Sequence, residues 1–291
     1  MKKYQYLVIV FSLILCGTAY ANSGEHFEKV HIDMHNPVSL QKGAKIFVNY
    51  CMGCHSLKFV RYERMAKDFK IPEQIVIHNM MFNSDKIGET MKINMPPKDA
   101  KKFFGTTPPD LSLIARSKGI DYLYAYLTGF YKDDSRPFGV NNSAFNLVAM
   151  PDALESLQGL QKKTDEALFQ EKILLDSENE LNAIEAKMEQ KDANMAVLDK
   201  QQQQAENAIH KASSIIAQLK HDDKYFELVH KGSMKPKEFK EAMVDLVNFL
   251  SYVAEPIKAK RISMGVWVIL FLVVFFILAY LLKQEYWKDV H

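Results

Sequence analysis

The chain has 291 residues, 48% of them apolar, and its 37 Lys and Arg against 35 Asp and Glu leave a formal charge of +2. So even a balance argues against a nucleic-acid partner. Two apolar stretches, one at each end, flank an otherwise mixed sequence that reads as globular.

Residues 1–21 have the form of a secretory signal peptide: Lys2 and Lys3, an apolar run over 6–16, and Ala19-Tyr20-Ala21 at a cleavage point. Leu13-Ile14-Leu15-Cys16 has the outline of a lipoprotein signal, but Leu15 stands where a small residue is wanted. Loss of this leader removes Lys2 and Lys3 and brings the charge to zero. It also leaves Cys51 and Cys54 as the only cysteines. Next come His31 and His35, four apart and able to share a helix face as metal ligands. No acid or cysteine is spaced to help them, so they read as unrelated surface residues.

A helix is expected over 39–50, marked by Pro37 and capped by Ser39. Leu40, Gly43, Ala44 and Phe47 share one face, and Gly43 invites close approach by a second helix. The expected partner is 236–254, where Phe239, Met243, Leu246, Val247, Leu250 and Ala254 form an apolar stripe between Pro236 and Pro256.

The first helix leads into Cys51-Met52-Gly53-Cys54-His55. Two thiols three apart can each add to a haem vinyl group, and the adjacent imidazole then lies under the iron. A redox dithiol does not need His55, and a zinc ribbon would need a second CxxC pair. The segment from 96 to 151 follows, dense in Pro, Gly and Asn turns and in aromatic rings. Such loops can wrap a flat apolar cofactor, with a short helix over 122–130 packed on it. For a second iron ligand, spacing leaves Met80, Met81, Met91, Met95 and Met150 all open.

Residues 160–231 contain neither glycine nor proline. Leu174, Leu181, Met188, Met195, Gln202, Ile209 and Ile216 recur every seven residues, with companions at Ile184, Leu198, Ala205, Ala212 and Leu219; Ser177 and Lys191 interrupt the companion line. A single helix of about 60 residues would reach about 90 Å. Both ends must return to the same haem domain, so an antiparallel hairpin is expected, turning near Asp192-Ala193-Asn194. Its first half is acidic, with nine acids and three lysines over 165–192. The final apolar run, 264–282, is 19 residues long and would rise about 28 Å as a helix, enough to cross a bilayer. Trp267, Tyr280, Tyr286 and Trp287 would sit at its interfaces. Lys258, Lys260 and Arg261 before the span outnumber Lys283 and Lys288 after it, which runs against export of the haem domain. The signal peptide and the chemistry of CxxCH take precedence and put that domain outside.

Beyond CMGCH, the chain carries Pro108-Pro109-Asp110-Leu111-Ser112, Ala115-Arg116, Gly119-Ile120-Asp121-Tyr122, Tyr126-Leu127-Thr128-Gly129-Phe130-Tyr131, Gly139-Val140-Asn141-Asn142 and Val148-Ala149-Met150-Pro151. Asp245-Leu246-Val247-Asn248-Phe249-Leu250, Ala254-Glu255-Pro256 and Glu285-Tyr286-Trp287 follow. In this order the blocks resemble the cytochrome c1 family, the haem subunits of ubiquinol–cytochrome c reductase. The resemblance implies one covalent haem c on Cys51 and Cys54, with His55 and Met150 as iron ligands. It sets Arg116 and Tyr122 near the haem propionates. Pro108-Pro109 is expected to offer a backbone carbonyl to the far nitrogen of His55. The family's aromatic–proline pair before the methionine is here Phe145-Asn146, so that loop should differ.

The implied fold is mainly α. A c-type cytochrome domain (22–159 and 232–258) carries a helical hairpin insertion (160–231) and a C-terminal membrane anchor (259–291). The implied partners are cytochrome b, the Rieske iron–sulfur protein and a soluble cytochrome c, in a dimeric complex of the bacterial inner membrane. The chain would be single-pass, with its haem domain periplasmic and its C-terminus cytoplasmic. No catalytic acid or base is expected of a subunit that only moves electrons. A tethered monohaem carrier, a haem subunit of a terminal oxidase and a scaffold built on the insertion are the competing readings.

Overall fold

The computed structural model describes residues 27–188 and 195–288. The leader with Cys16, the expected turn at 192–194 and the last three residues lie outside them. The first elements are α1 (Pro37–Ile46), a π-helical turn (Phe47–Cys51), β1 (Leu57–Arg61), α2 (Tyr62–Phe69), α3 (Glu73–Asn79) and β2 (Thr90–Met91). After them come α4 (Pro97–Phe104), α5 (Ile114–Lys118), α6 (Ile120–Thr128), β3 (Phe130–Lys132), β4 (Val140–Asn142) and α7 (Glu155–Gln158). The chain continues through β5 (Gly159–Lys163), α8 (Asp165–Met188), α9 (Met195–His221), β6 (Phe226–Lys231), α10 (Pro236–Ala254) and α11 (Lys258–Tyr286). The fold is mainly α, as the sequence implied. Its strands form three antiparallel two-stranded ribbons, β1–β2, β3–β4 and β5–β6, which the periodicity did not reveal.

The main core forms where α1 crosses α10. Gly43 permits the crossing. A Cβ there would lie 2.7 Å from Phe249 Cβ and 2.8 Å from the Asp245 carbonyl carbon, well inside van der Waals contact. Phe47 meets Phe249 at 5.6 Å between ring centroids, and Phe249 in turn meets Phe69 at 5.9 Å. Ser39 is not the cap of α1. Asn36 is, its Oδ1 accepting from Val38 N (3.1 Å) and Ser39 N (3.3 Å), because the helix starts at Pro37, three residues earlier than a Ser39 cap would set it. The Ser39 hydroxyl instead accepts from Asn248 Nδ2 at 2.9 Å, tying α1 to α10.

Two further boundaries differ from expectation. The α-helix ends at Ile46 and widens into the π turn through Met52 N–H bonding to Phe47 O at 2.9 Å. The short aromatic helix starts at Ile120 rather than Tyr122 and stops at Thr128, since Phe130 is already paired with Asn142 in a ribbon.

The insertion is a helical pair set on a ribbon. Strands β5 and β6 pair from Gly159↔Lys231 to Lys163↔Phe226, and α8 and α9 pack along each other beyond them. The seam is centred on the companion line of the heptads. Gln170, Ser177 and Ile184 of α8 are buried, as are Leu198, Ala205 and Ala212 of α9, each set seven residues apart. Leu181 and Met188 flank it, and Met195 is 48% exposed. The seam thus mixes large side chains (Gln170, Ile184, Leu198) with small ones (Ser177, Ala205, Ala212). Ser177 sits inside the seam it was expected to interrupt. At the base, Gly159 has φ +90°, and a Cβ on it would meet Gly232 N at 2.5 Å.

Helix α11 begins two residues after Pro256. Its candidate span, Lys260–Tyr286, has a mean hydropathy of 2.9 and no buried share. A 27-residue apolar helix exposed on all sides is a membrane helix by composition and length, not a core helix.

Candidate functional site

The π turn delivers the thiols. Widening the last turn of the first helix lets the chain leave at Cys51 and fold back at once. Cys54 N (3.1 Å) and His55 N (2.8 Å) both donate to Cys51 O. Cys51, Cys54 and His55 thus sit on one tight turn, and both thiols are free. Burial pushes the Cys51 thiol up to about 12, with Cys54 adding to the effect. The pair is therefore a poor thiolate redox couple at neutral pH.

His55 Nδ1 lies 2.7 Å from Pro109 O. The carbonyl can only accept, so the ring donates from Nδ1, which leaves the Nε2 lone pair for a metal. Burial lowers the His55 pKa and keeps the imidazole neutral, as a ligand must be. The loop offering Pro109 O is itself pinned. Asp110 accepts from Lys58 N (2.9 Å) and Ser112 N (3.0 Å), Leu111 N donates to Ser56 O (2.9 Å), and Ser112 Oγ accepts from Phe59 N (3.2 Å). Sequence reasoning singled out the proline carbonyl but not Asp110, Ser112 or Ser56, which fix it. The Asp-Leu-Ser run after two prolines was the available signal, since aspartate there closes a turn on its own backbone.

Met150 lies in a second, smaller apolar cluster with Phe130, Val140, Val148 and Tyr126. Its sulfur accepts from the Tyr126 hydroxyl at 3.5 Å. The loop before it is held by a polar frame. Asn142 Nδ2 donates to Tyr126 O (2.7 Å), and its Oδ1 accepts from Ala144 N (2.9 Å) and Phe145 N (3.2 Å). Asn141 Nδ2 donates to Asp133 Oδ2 and to Asn146 Oδ1, both at 3.0 Å. Arg136 Nη2 donates to Leu147 O (3.0 Å) and Val148 O (3.2 Å). Leu147 takes a left-handed φ of +58° within this frame. Asn146, standing in the place of a proline, is thereby used: its Oδ1 also accepts from Leu147 N at 2.9 Å. Neither Arg136 nor the two asparagines was anticipated as part of the site, although Gly139-Val140-Asn141-Asn142 was noted as a block.

Tyr122 is half-buried on α6. Its ring is 5.5 Å from Phe27, edge-on, and 6.0 Å from Tyr126, stacked. Tyr122 and Met150 are thus joined through the Tyr126 ring. Arg116 is exposed on α5, and its charge helps hold the Glu255 carboxyl below its ordinary value, an effect led by Arg261. Cys51 and Tyr122 pack against the main core and Met150 against the smaller one. His31 and His35 enter no metal-ligand group, and none of three or more His, Cys, Asp or Glu occurs among the described residues.

Two thiols and an oriented imidazole on one turn carry the chemistry of covalent c-type haem attachment. The Cytochrome C1 family model matches residues 26–290. The chain is 40% identical over 287 residues to cytochrome c1 of Allochromatium vinosum, covering 98% of this chain and 99% of that one. A Nitrosomonas europaea protein named ammonia monooxygenase gamma subunit is 31% identical over 293 residues, 100% of both chains. The cytochrome c1 haem protein of Euglena gracilis is 32% identical over 110 residues, 32% of this chain and 45% of that one. The chain belongs to the cytochrome c1 family, whose members carry a covalently attached c-type haem.

Proposed function

We propose that the chain takes one electron from a Rieske iron–sulfur protein and passes it to a soluble cytochrome c. The haem would be bound through Cys51 and Cys54 and ligated by His55 and Met150, with Arg116 and Tyr122 at its propionates. Membership of the family makes the chain a haem electron carrier, a redox subunit of the cytochrome bc1 complex alongside cytochrome b and the Rieske protein. It is single-pass, with α11 as its one apolar helix among the described residues.

The observation that carries the ligand assignment is the hydrogen bond from His55 to Pro109 O at 2.7 Å. It fixes one tautomer on a residue whose neighbours are the two free thiols. Haem would supply the one-electron couple. The protein's part is to hold the ring nitrogen and the sulfur, to keep water off the apolar walls, and to set the potential. A neutral thioether favours ferrous iron and so raises the potential, as an acceptor of electrons from quinol oxidation requires. Each electron in is matched by one out, and no bond is made or broken in a substrate. The haem domain would face the periplasm, where CxxCH attachment takes place, and the C-terminus the cytoplasm, in a dimeric complex.

The test is Met150→Leu in the intact membrane protein. The methionine-to-iron charge-transfer band of the oxidised form is expected to vanish, and the midpoint potential to fall by an amount on the order of hundreds of millivolts. A retained band and potential would remove Met150 from the iron.

A further inference from the structure

Three tyrosines lie on α6, at 122, 124 and 126. Tyr126 reaches the methionine, its hydroxyl 3.5 Å from Met150 Sδ. The ring is held on two sides: stacked on Tyr122 with centroids 6.0 Å apart, and edge-on to Phe130 at 5.4 Å and 82°. Its backbone is held as well, since Tyr126 O accepts from Asn142 Nδ2 at 2.7 Å. The asparagine that shapes the methionine loop is thus tied to the residue that touches the sulfur. Ring and loop are fixed relative to each other by the same side chain.

We infer that Tyr126 is a positioning residue that sets the potential of the haem iron through the sulfur of Met150. This goes beyond the function proposed above and rests on its assignment of Met150 as an iron ligand. A thioether sulfur has two lone pairs. One is available to the iron, and the other accepts the Tyr126 O–H. That hydrogen bond draws electron density from the sulfur, and ferric iron depends on this density more than ferrous iron does. The bond therefore weakens the oxidised state preferentially and raises the potential. It also fixes which lone pair faces the iron, and so the orientation of the methionine. Tyr124 provides an internal comparison. It is a buried phenol two residues away on the same helix, lining a cavity of about 650 Å³ that Met150 does not line.

The experiment is redox titration and absorption spectroscopy of the full-length, detergent-solubilised haem protein, comparing wild type with Tyr126→Phe and Tyr124→Phe. Phenylalanine keeps the ring contacts with Tyr122 and Phe130, so only the hydroxyl is lost. Tyr126→Phe is expected to lower the midpoint potential and to move the charge-transfer band while retaining it. Tyr124→Phe should leave both at wild-type values. An unmoved potential and band in Tyr126→Phe would overturn the inference, as would an equal shift from Tyr124→Phe. Failure of the ligand assignment itself would show separately, as a charge-transfer band that survives in Met150→Leu.

Discussion

Replacing Gly43 with alanine tests whether the close crossing of α1 and α10 holds the domain together. The added Cβ would fall 2.7 Å from Phe249 Cβ and 2.8 Å from the carbonyl carbon of Asp245. Ordinary carbon contacts begin near 3.5 Å, and the Asp245 carbonyl oxygen lies nearer still, so the helices must part by at least about 0.8 Å. Two of the obstacles are backbone atoms of α10, which cannot swing aside as a side chain would. A gap of about 0.5–1 Å forfeits roughly a quarter to a half of the dispersion energy along an interface. Here that interface includes Leu40, Ala44 and Phe47 against Leu246, Phe249 and Leu250, all buried. Overpacking of this kind costs about 1–3 kcal/mol, and rigid obstacles place Gly43 at the top of that range. Alanine returns about 1 kcal/mol of helix propensity. The net loss is about 2 kcal/mol, which for a unit of this size lowers the melting temperature by roughly 4–8 °C. Thermal unfolding followed by Soret dichroism reads it. Gly88→Ala is the control, since nothing lies within 4 Å of a Cβ there. If the two variants melted together, the reasoning about the crossing would be refuted.

Asn142→Ala should destabilise the protein by about 3 kcal/mol, because it orphans the Tyr126 carbonyl and two backbone N–H groups, each costing ~1–3 kcal/mol when buried. Denaturant titration gives the loss, and the charge-transfer band should weaken in parallel. Asp133 is held below its ordinary pKa of 3.8, first by the Ser135 hydroxyl and then by Asn141. A depressed carboxylate contributes stability above its unfolded value and loses it as pH falls through the folded one. Acid below about pH 4 should therefore loosen the Asn141 frame, and Asp133→Asn should flatten that part of a stability–pH curve. Deleting 264–291 should yield a soluble red protein that no longer copurifies with cytochrome b; full assembly without the helix would make it a dispensable tether. Replacing 164–225 by a short Gly-Ser turn should leave the haem spectrum intact and slow electron delivery to cytochrome c only at low salt, where the acids of α8 steer a basic partner. Loss of haem would instead make the insertion part of the core.

The long helices were legible because a periodic face or an unbroken apolar run marks them, whereas the short helices α2 to α5 and α7 carried no such signal. Leu40, Gly43, Ala44 and Phe47 announced the α1–α10 crossing, and the apolar run over 264–282 announced α11. The CMGCH turn was legible because its chemistry is local. The loop frames were not. Asn141 and Asn142 act through backbone groups up to 16 residues away, and nothing in their own neighbourhood says which carbonyl they will meet. The ribbons escaped for a related reason. Three-residue strands such as β3 and β4 are too short to show alternation, and their pairing depends on where α6 ends. The heptads gave the hairpin but misjudged its axis, since a seam that includes Ala205, Ala212 and Ser177 has little apolar signal.

The paired glycines at the base of the insertion make that junction a natural splice. Gly159 and Gly232 bring the two departing strands within backbone contact. Beyond them the ladder runs on through Ser233 N to Ser156 O and Met234 N to Leu157 O, both 3.0 Å. Whatever is threaded between residues 163 and 226 therefore leaves and re-enters at nearly the same point. A tenfold change in its length need not move Leu157 or Met234. Even an unstructured replacement would alter the closure entropy by only ~0.6 kcal/mol per doubling. An experimenter can lengthen, shorten or exchange this arm while the haem pocket stays still. A fluorescent or affinity module grafted there would ride on the assembled complex without entering its electron path.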